Sequence, residues 1–145
     1  MAVVQHLTTK LRQLLIVYNK TMLILRTGVD LVEIERLDQI QPNIRGRFLA
    51  RVFTPRELAE TDSSSASLAG RFAVKEAVAK ALGCGISAIG WQSVEVQRGP
   101  QGEPILLLHD KAQALAENLG LTQWSISISH SRTHAIAMAV GLGTT

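Results

Sequence analysis

The chain has 145 residues, 46% of them apolar and only 4% aromatic, enough for one hydrophobic core and too few for two ordinary domains. Its single cysteine, Cys84, excludes an internal disulfide framework and a cysteine-rich zinc site, and fits a reducing compartment. The net charge of +3 is no nucleic-acid signature: residues 1 to 22 hold Lys10, Arg12 and Lys20 without any acid, and the remainder balances twelve basic against twelve acidic side chains.

The first 21 residues, MAVVQHLTTKLRQLLIVYNKT, carry a helical apolar pattern. LLIVY at 14 to 18 is far short of the roughly 18 residues a membrane helix needs and is followed by no small-residue cleavage site. A cytoplasmic protein with no membrane span is expected. Residues 1–21 read as an N-terminal extension, either a loosely attached helix or a segment upstream of a natural start at Met22, and residues 22–145 as the domain. Residues 22 to 31 then predict a strand, interrupted by Thr27-Gly28 just before Asp30. In VEIERLDQI, Val32, Ile34, Leu37 and Ile40 predict a helix that Pro42 stops.

RGRFLARVF predicts a short amphipathic helix, with Phe48, Val52, Leu49 and Phe53 on an apolar side and Arg47 and Arg51 on another. Arg45, Arg47, Arg51 and Arg56 form the one local basic cluster, with no acid between them. TPREL has a helix-start signature: Thr54 as N-cap, Pro55 at the first helical position, Glu57 three residues after the cap. TDSSSAS reads as a loop, and a helix follows from about Leu68 to Leu82, ended by Gly83 and Gly85. SVEVQ and PILLL predict strands flanking the turn RGPQGE, residues 110 to 119 a helix, and WSISISH and HAIAMAVG a second hairpin joined by SRT. With no repeat and no linker, the expected fold is α+β: a single domain with an antiparallel β-sheet packed by helices.

Within the helix GRFAVKEAVAKALG, Val74, Val78 and Leu82 form one stripe, while Glu76 and Lys80 lie on the far side beside Phe72, Ala73 and Ala77. By itself the pair also fits an ordinary i,i+4 surface interaction of about 0.2 to 0.5 kcal/mol. Two further polar residues sit where apolar elements end: Asp30 after the first strand and His130 after SISIS. Burying carboxylates is costly unless they are paired or bind a cation, and two carboxylates without thiolates or paired histidines suit an oxygen-loving ion such as Mg²⁺. Asp30 also fits a helix cap, and His130 a satisfied strand-end histidine.

GVDLVEIERL, RFLARVFTPREL, LAGRFAVKEAVAKALG and WSISISHS, in this order and at these separations, resemble the holo-acyl-carrier-protein synthase family, small single-domain phosphopantetheinyl transferases. The resemblance covers about residues 23 to 141. It implies Mg²⁺ held by Asp30 of the G-x-D motif and Glu76 of R-F-x-x-K-E-A, with Lys80 on the coenzyme A phosphates. It implies further coenzyme A contacts from Arg71, Gly83, Pro104 of the G-x-P turn, Ser129 and His130. Asp30, Glu76 and Lys80 are then the catalytic residues, Glu76 the candidate for deprotonating an attacking serine. Arg36, Arg47 and Arg51 become a docking face for an acidic acyl carrier protein, and the family's trimer, with active sites between subunits, becomes the expected assembly. TDSSSAS is shorter than in some family members, and Cys84 stands where Thr is common. A non-catalytic basic binding module and a homologue that kept the fold without turnover are the rival readings; the first needs neither metal nor Glu76.

Overall fold

The computed structural model of the chain describes residues 21–62 and 64–145, so the expected helical extension lies outside the described residues. Leu23–Glu33 form β1, one unbroken strand of 11 residues. Its alternation turns Ile24, Arg26, Gly28, Asp30 and Val32 inward and Leu23, Leu25, Val29 and Leu31 outward. The strand runs further than expected, because Val32 and Glu33 pair with Ala135 and His134. The helix expected over 32–40 shrinks to one turn, α1 (Glu35–Asp38). Val32, Ile34 and Leu37 are all buried, but the spacing comes from a strand end followed by a single turn rather than from a continuous helix.

Pro42 opens rather than stops a helix: it sits in the first turn of α2 (Pro42–Val52), where its missing N–H costs nothing. The expected capping box starts α3 (Pro55–Thr61), with the Thr54 side chain accepting from the Glu57 N–H and the Glu57 carboxylate accepting from the Thr54 N–H. The central helix α4 (Ser65–Leu82) begins three residues earlier than expected, because Ser64 caps it through the Ser67 N–H. Gly83 ends it with φ of 77°, a left-handed conformation that disfavours other residues. Two short elements were not anticipated, α5 (Ile86–Ile89) and a 3₁₀ turn over Trp91–Ser93. β2 (Val94–Arg98) and β3 (Pro104–Leu108) make the expected hairpin, followed by α6 (Asp110–Asn118) and by β4 (Leu121–His130) and β5 (His134–Thr144).

The strands form two antiparallel sheets rather than one, a three-stranded sheet in the order β1-β5-β4 and the separate β2-β3 hairpin. The first is covered on one face by α4, and small side chains make that packing close. Ala73 and Ala77 of α4 and Ala135, Ala137 and Ala139 of β5 are essentially fully buried. A Cβ on Gly28 would lie 1.8 Å from the Ala77 carbonyl oxygen. The glycine therefore marks the approach of α4 to an uninterrupted strand, and Gly28→Ala would force helix and sheet apart.

The opposite side of α4 is held by charge. Lys75 is fully buried and donates to Glu57 Oε2 at 2.9 Å, to the Trp91 carbonyl at 3.1 Å and to the Val94 carbonyl. Burial pushes the Lys75 pKa down, against the upward pull of Glu57. One turn earlier, Arg71 donates to the Val96 carbonyl, Ser67 Oγ and Glu60 Oε2. These two side chains button α4 onto β2 and α3, which sets the rotation of the helix about its axis.

Candidate active site

With its rotation set in this way, α4 turns Phe72 and Glu76 toward the β1 edge of the three-stranded sheet. There they line a cleft of about 420 Å³ with Asp30, Arg36, Leu37, Ile40 and Phe48. Asp30 reaches this side because Gly28, Asp30 and Val32 share the inner face of β1. Lys80, one turn past Glu76, donates to Asp30 Oδ1 at 2.8 Å and to the Val29 carbonyl at 2.9 Å. No hydrogen bond to the Glu76 carboxylate forms within the described residues. Its pKa is raised, first by burial and then by the negative charge of Asp30, with Lys80 pulling the other way.

Two carboxylates that repel each other at the mouth of a cleft, one of them without a donor, make a fitting environment for a hard divalent cation. Among the described residues no group of three or more His, Cys, Asp or Glu side chains converges. The remaining positions around such an ion would thus fall to water and substrate oxygens, the habit of Mg²⁺ in phosphate chemistry. The donor set fits Mg²⁺ and does not suit zinc.

A second cleft lies at the other margin of the sheet. Ser67, Gly70 and Arg71 of α4 line it together with Arg98, Gly102, Pro104 and His130. It collects three of the residues expected to contact coenzyme A: Arg71, Pro104 and His130. Ser129 and Gly83 line neither cleft. Ser129 pairs with Ile136 and, by strand alternation, points to the outer sheet face. Gly83 serves as the helix cap. Arg71, 6% exposed, spends its donors on structural partners while its surface still borders the cleft. Arg98, which no motif singles out, is exposed in the same cleft; its place beside the RGPQGE turn is the one local signal for it.

The two clefts do not meet within one chain. At 100° per residue, Phe72 and Glu76 project from α4 on nearly the opposite side to Ser67, Gly70 and Arg71. β1 and β4 are the two edges of the sheet, separated by two interstrand spacings or about 10 Å.

Of the basic cluster, Arg45 donates to the Leu37 carbonyl and Arg56 pairs with Glu60, so both are engaged inside the chain. Arg47 and Arg51 are exposed and their side chains form no ion pair or hydrogen bond among the described residues, and Arg36 borders the Asp30 cleft. No helix among the described residues is long and apolar enough to cross a membrane.

The sequence profile of the 4'-phosphopantetheinyl transferase superfamily matches residues 26–139. Holo-[acyl-carrier-protein] synthase of Herpetosiphon aurantiacus is 47% identical over 124 residues, spanning 81% of this chain and 98% of that protein. Its counterpart in Moorella thermoacetica is 44% identical over 119 residues, spanning 80% and 92%. Among solved structures, Helicobacter pylori holo-[acyl-carrier-protein] synthase in complex with coenzyme A matches with a TM-score of 0.72 at 31% identity, covering 79% of this chain and 98% of that one. The Bacillus anthracis holo-(acyl-carrier-protein) synthase in complex with CoA (3',5'-ADP) gives 0.67 at 28% identity, covering 84% and 99%. The chain belongs to the 4'-phosphopantetheinyl transferase superfamily, as a member of its holo-[acyl-carrier-protein] synthase family.

Proposed function

We propose that this enzyme transfers the 4'-phosphopantetheine group of coenzyme A to a serine hydroxyl of apo-acyl carrier protein, releasing adenosine 3',5'-bisphosphate, in the service of fatty acid biosynthesis. The observation that carries the reading is that Asp30 and Glu76, from two elements, line one cleft of a chain in this family, with Lys80 bound to Asp30 at 2.8 Å. Asp30 and Glu76 would hold Mg²⁺, which supplies neutralisation of the pyrophosphate charge. Glu76 accepts the serine proton, directly or through a water. The serine oxygen forms its bond to the β-phosphorus as the bond from that phosphorus to the bridging oxygen breaks. Lys80 stabilises the charge left on the departing phosphate.

The second cleft, bordered by Arg71, Arg98, Pro104 and His130, is the proposed seat of the nucleotide end of coenzyme A. Because it faces the opposite sheet margin, the complete site is assembled from two copies, and a homotrimer with active sites between subunits accommodates this. The outer sheet face supports such an assembly, since Leu23, Leu25, Val29, Leu31, Ile136 and Met138 are exposed there at 41% or more. Arg36, Arg47 and Arg51 form the docking face for the acidic carrier protein. A cytoplasmic setting is in keeping with the single cysteine, and residues 22–145 are proposed to carry the whole activity without the extension.

Incubation with apo-acyl carrier protein, coenzyme A and Mg²⁺, read by intact mass, tests the reading. Wild type adds one phosphopantetheine, whereas Asp30→Ala and Glu76→Ala remain folded with little transfer. Absence of the added mass with wild type removes the function; near-normal turnover in both variants removes the metal assignment.

A further inference from the structure

Lys80 answers to two claims. Its ammonium is bound to Asp30 Oδ1 at 2.8 Å and to the Val29 carbonyl at 2.9 Å, while its place one turn past Glu76, bordering a hollow with Thr27, Val29 and Met138, makes it the candidate for a substrate phosphate. Asp30 likewise serves both this ammonium and a cation. A carboxylate oxygen already accepting from an ammonium presents a divalent ion with an occupied lone pair and a nearby repelling charge.

The two partners differ in mobility. Asp30 belongs to a paired strand, opposite Ala137, and its side chain is 17% exposed. The Lys80 side chain is 51% exposed on a flexible four-carbon stem, so Lys80 is the partner that can leave.

We propose that Lys80 is an internal competitor for the cation at Asp30, and that the phosphates of coenzyme A draw it away, so that nucleotide and metal binding reinforce each other through this one side chain. The inference rests on the assignment of Asp30 as a metal ligand. By linkage, whatever factor coenzyme A adds to metal affinity the metal must return to coenzyme A affinity. The part of that factor carried by Lys80 disappears when its charge is removed.

Mn²⁺ serves as the probe, with the free ion followed by electron paramagnetic resonance on the full chain and no turnover required. Without nucleotide, Lys80→Met should bind Mn²⁺ roughly fivefold to tenfold more tightly than wild type, through loss of a competing pair and of a like charge. Lys80→Arg should stay near wild type, since a cation still pairs with Asp30. With saturating coenzyme A the advantage of Lys80→Met should shrink below about twofold. Asp30→Asn should lose the site. If Mn²⁺ binds wild type and is lost in Asp30→Asn, yet Lys80→Met binds no more tightly or keeps its full advantage with coenzyme A, the competition is overturned and the metal site stands. If Asp30→Asn binds Mn²⁺ as wild type does, or wild type binds none, the metal assignment fails and the competition with it.

Discussion

Lys75 Nζ lies 2.9 Å from Glu57 Oε2 with neither side chain exposed, and the same carboxylate accepts the backbone N–H groups of Thr54 and Val96. One ion pair thus joins the middle of α4 to the start of α3 and to β2. Removing either partner leaves a buried charge uncompensated, so Lys75→Met and Glu57→Gln should each cost about 3 to 5 kcal/mol in urea unfolding. The double variant should cost clearly less than the sum, because the second substitution removes the charge that the first orphaned. Additivity to within about 0.5 kcal/mol would show that the two side chains are not energetically coupled.

The side chains of Arg47 and Arg51 have no partners among the described residues and stand outside both clefts. Reversing both to Glu should raise the KM for acyl carrier protein at least tenfold while leaving coenzyme A binding nearly unchanged, about 1.4 kcal/mol or more of lost association. The wild-type KM should climb with salt, because charges further apart than about 8 Å are largely screened at physiological ionic strength. The variant should show a flatter salt dependence. Loss of coenzyme A affinity in this variant would assign the arginines to the wrong substrate.

The separation of the Glu76 and His130 clefts to opposite margins of the sheet makes intersubunit completion measurable. Glu76→Ala and His130→Ala should each be weakly active alone. After co-refolding at equal amounts, roughly a quarter of the sites should combine an intact Glu76 with an intact His130 from a neighbour and regain turnover. If the proposed trimer forms through the exposed apolar face, Met138→Glu placed there should shift the light-scattering mass to that of a single chain and lower activity in step. A mixed preparation that never exceeds its parents would confine each site to a single chain.

Glu60 gives the stability a pH dependence of known sign. Burial works to raise its pKa, but hydrogen bonds from the Arg56 side chain, the Arg98 N–H and the Arg71 guanidinium outweigh it and hold the carboxyl below its ordinary value of 4.5. A carboxyl depressed in the folded state contributes stability above its unfolded pKa and loses it as pH falls through the folded one. The stability gap between wild type and Glu60→Gln should therefore be full near neutrality and close progressively below about pH 4.5, as followed by urea midpoints. A gap that widens on acidification would contradict this sign.

What the sequence determined by itself was local or repetitive. The Thr54–Glu57 capping box, the Gly83 stop and the RGPQGE turn depend on bonds spanning a few residues, and all three formed where expected. The four ordered motifs identified the family, and with it Asp30, Glu76 and Lys80 as residues to watch. Tertiary structure decided what depends on distant partners. Asp30 and Lys80 are 50 residues apart in the chain, and Glu57 and Lys75 are 18 apart. No local pattern announces either pair, although Lys75 stands one heptad from both Leu68 and Leu82 and so on a buried stripe. Val32 went to a strand rather than a helix because Ala135 was there to pair with it, and Gly28 gave way to α4 rather than breaking β1. The division into two sheets, and of the site residues between two clefts, follows from which whole faces find cover. That depends on burial summed over the entire chain, a quantity that no single segment contains.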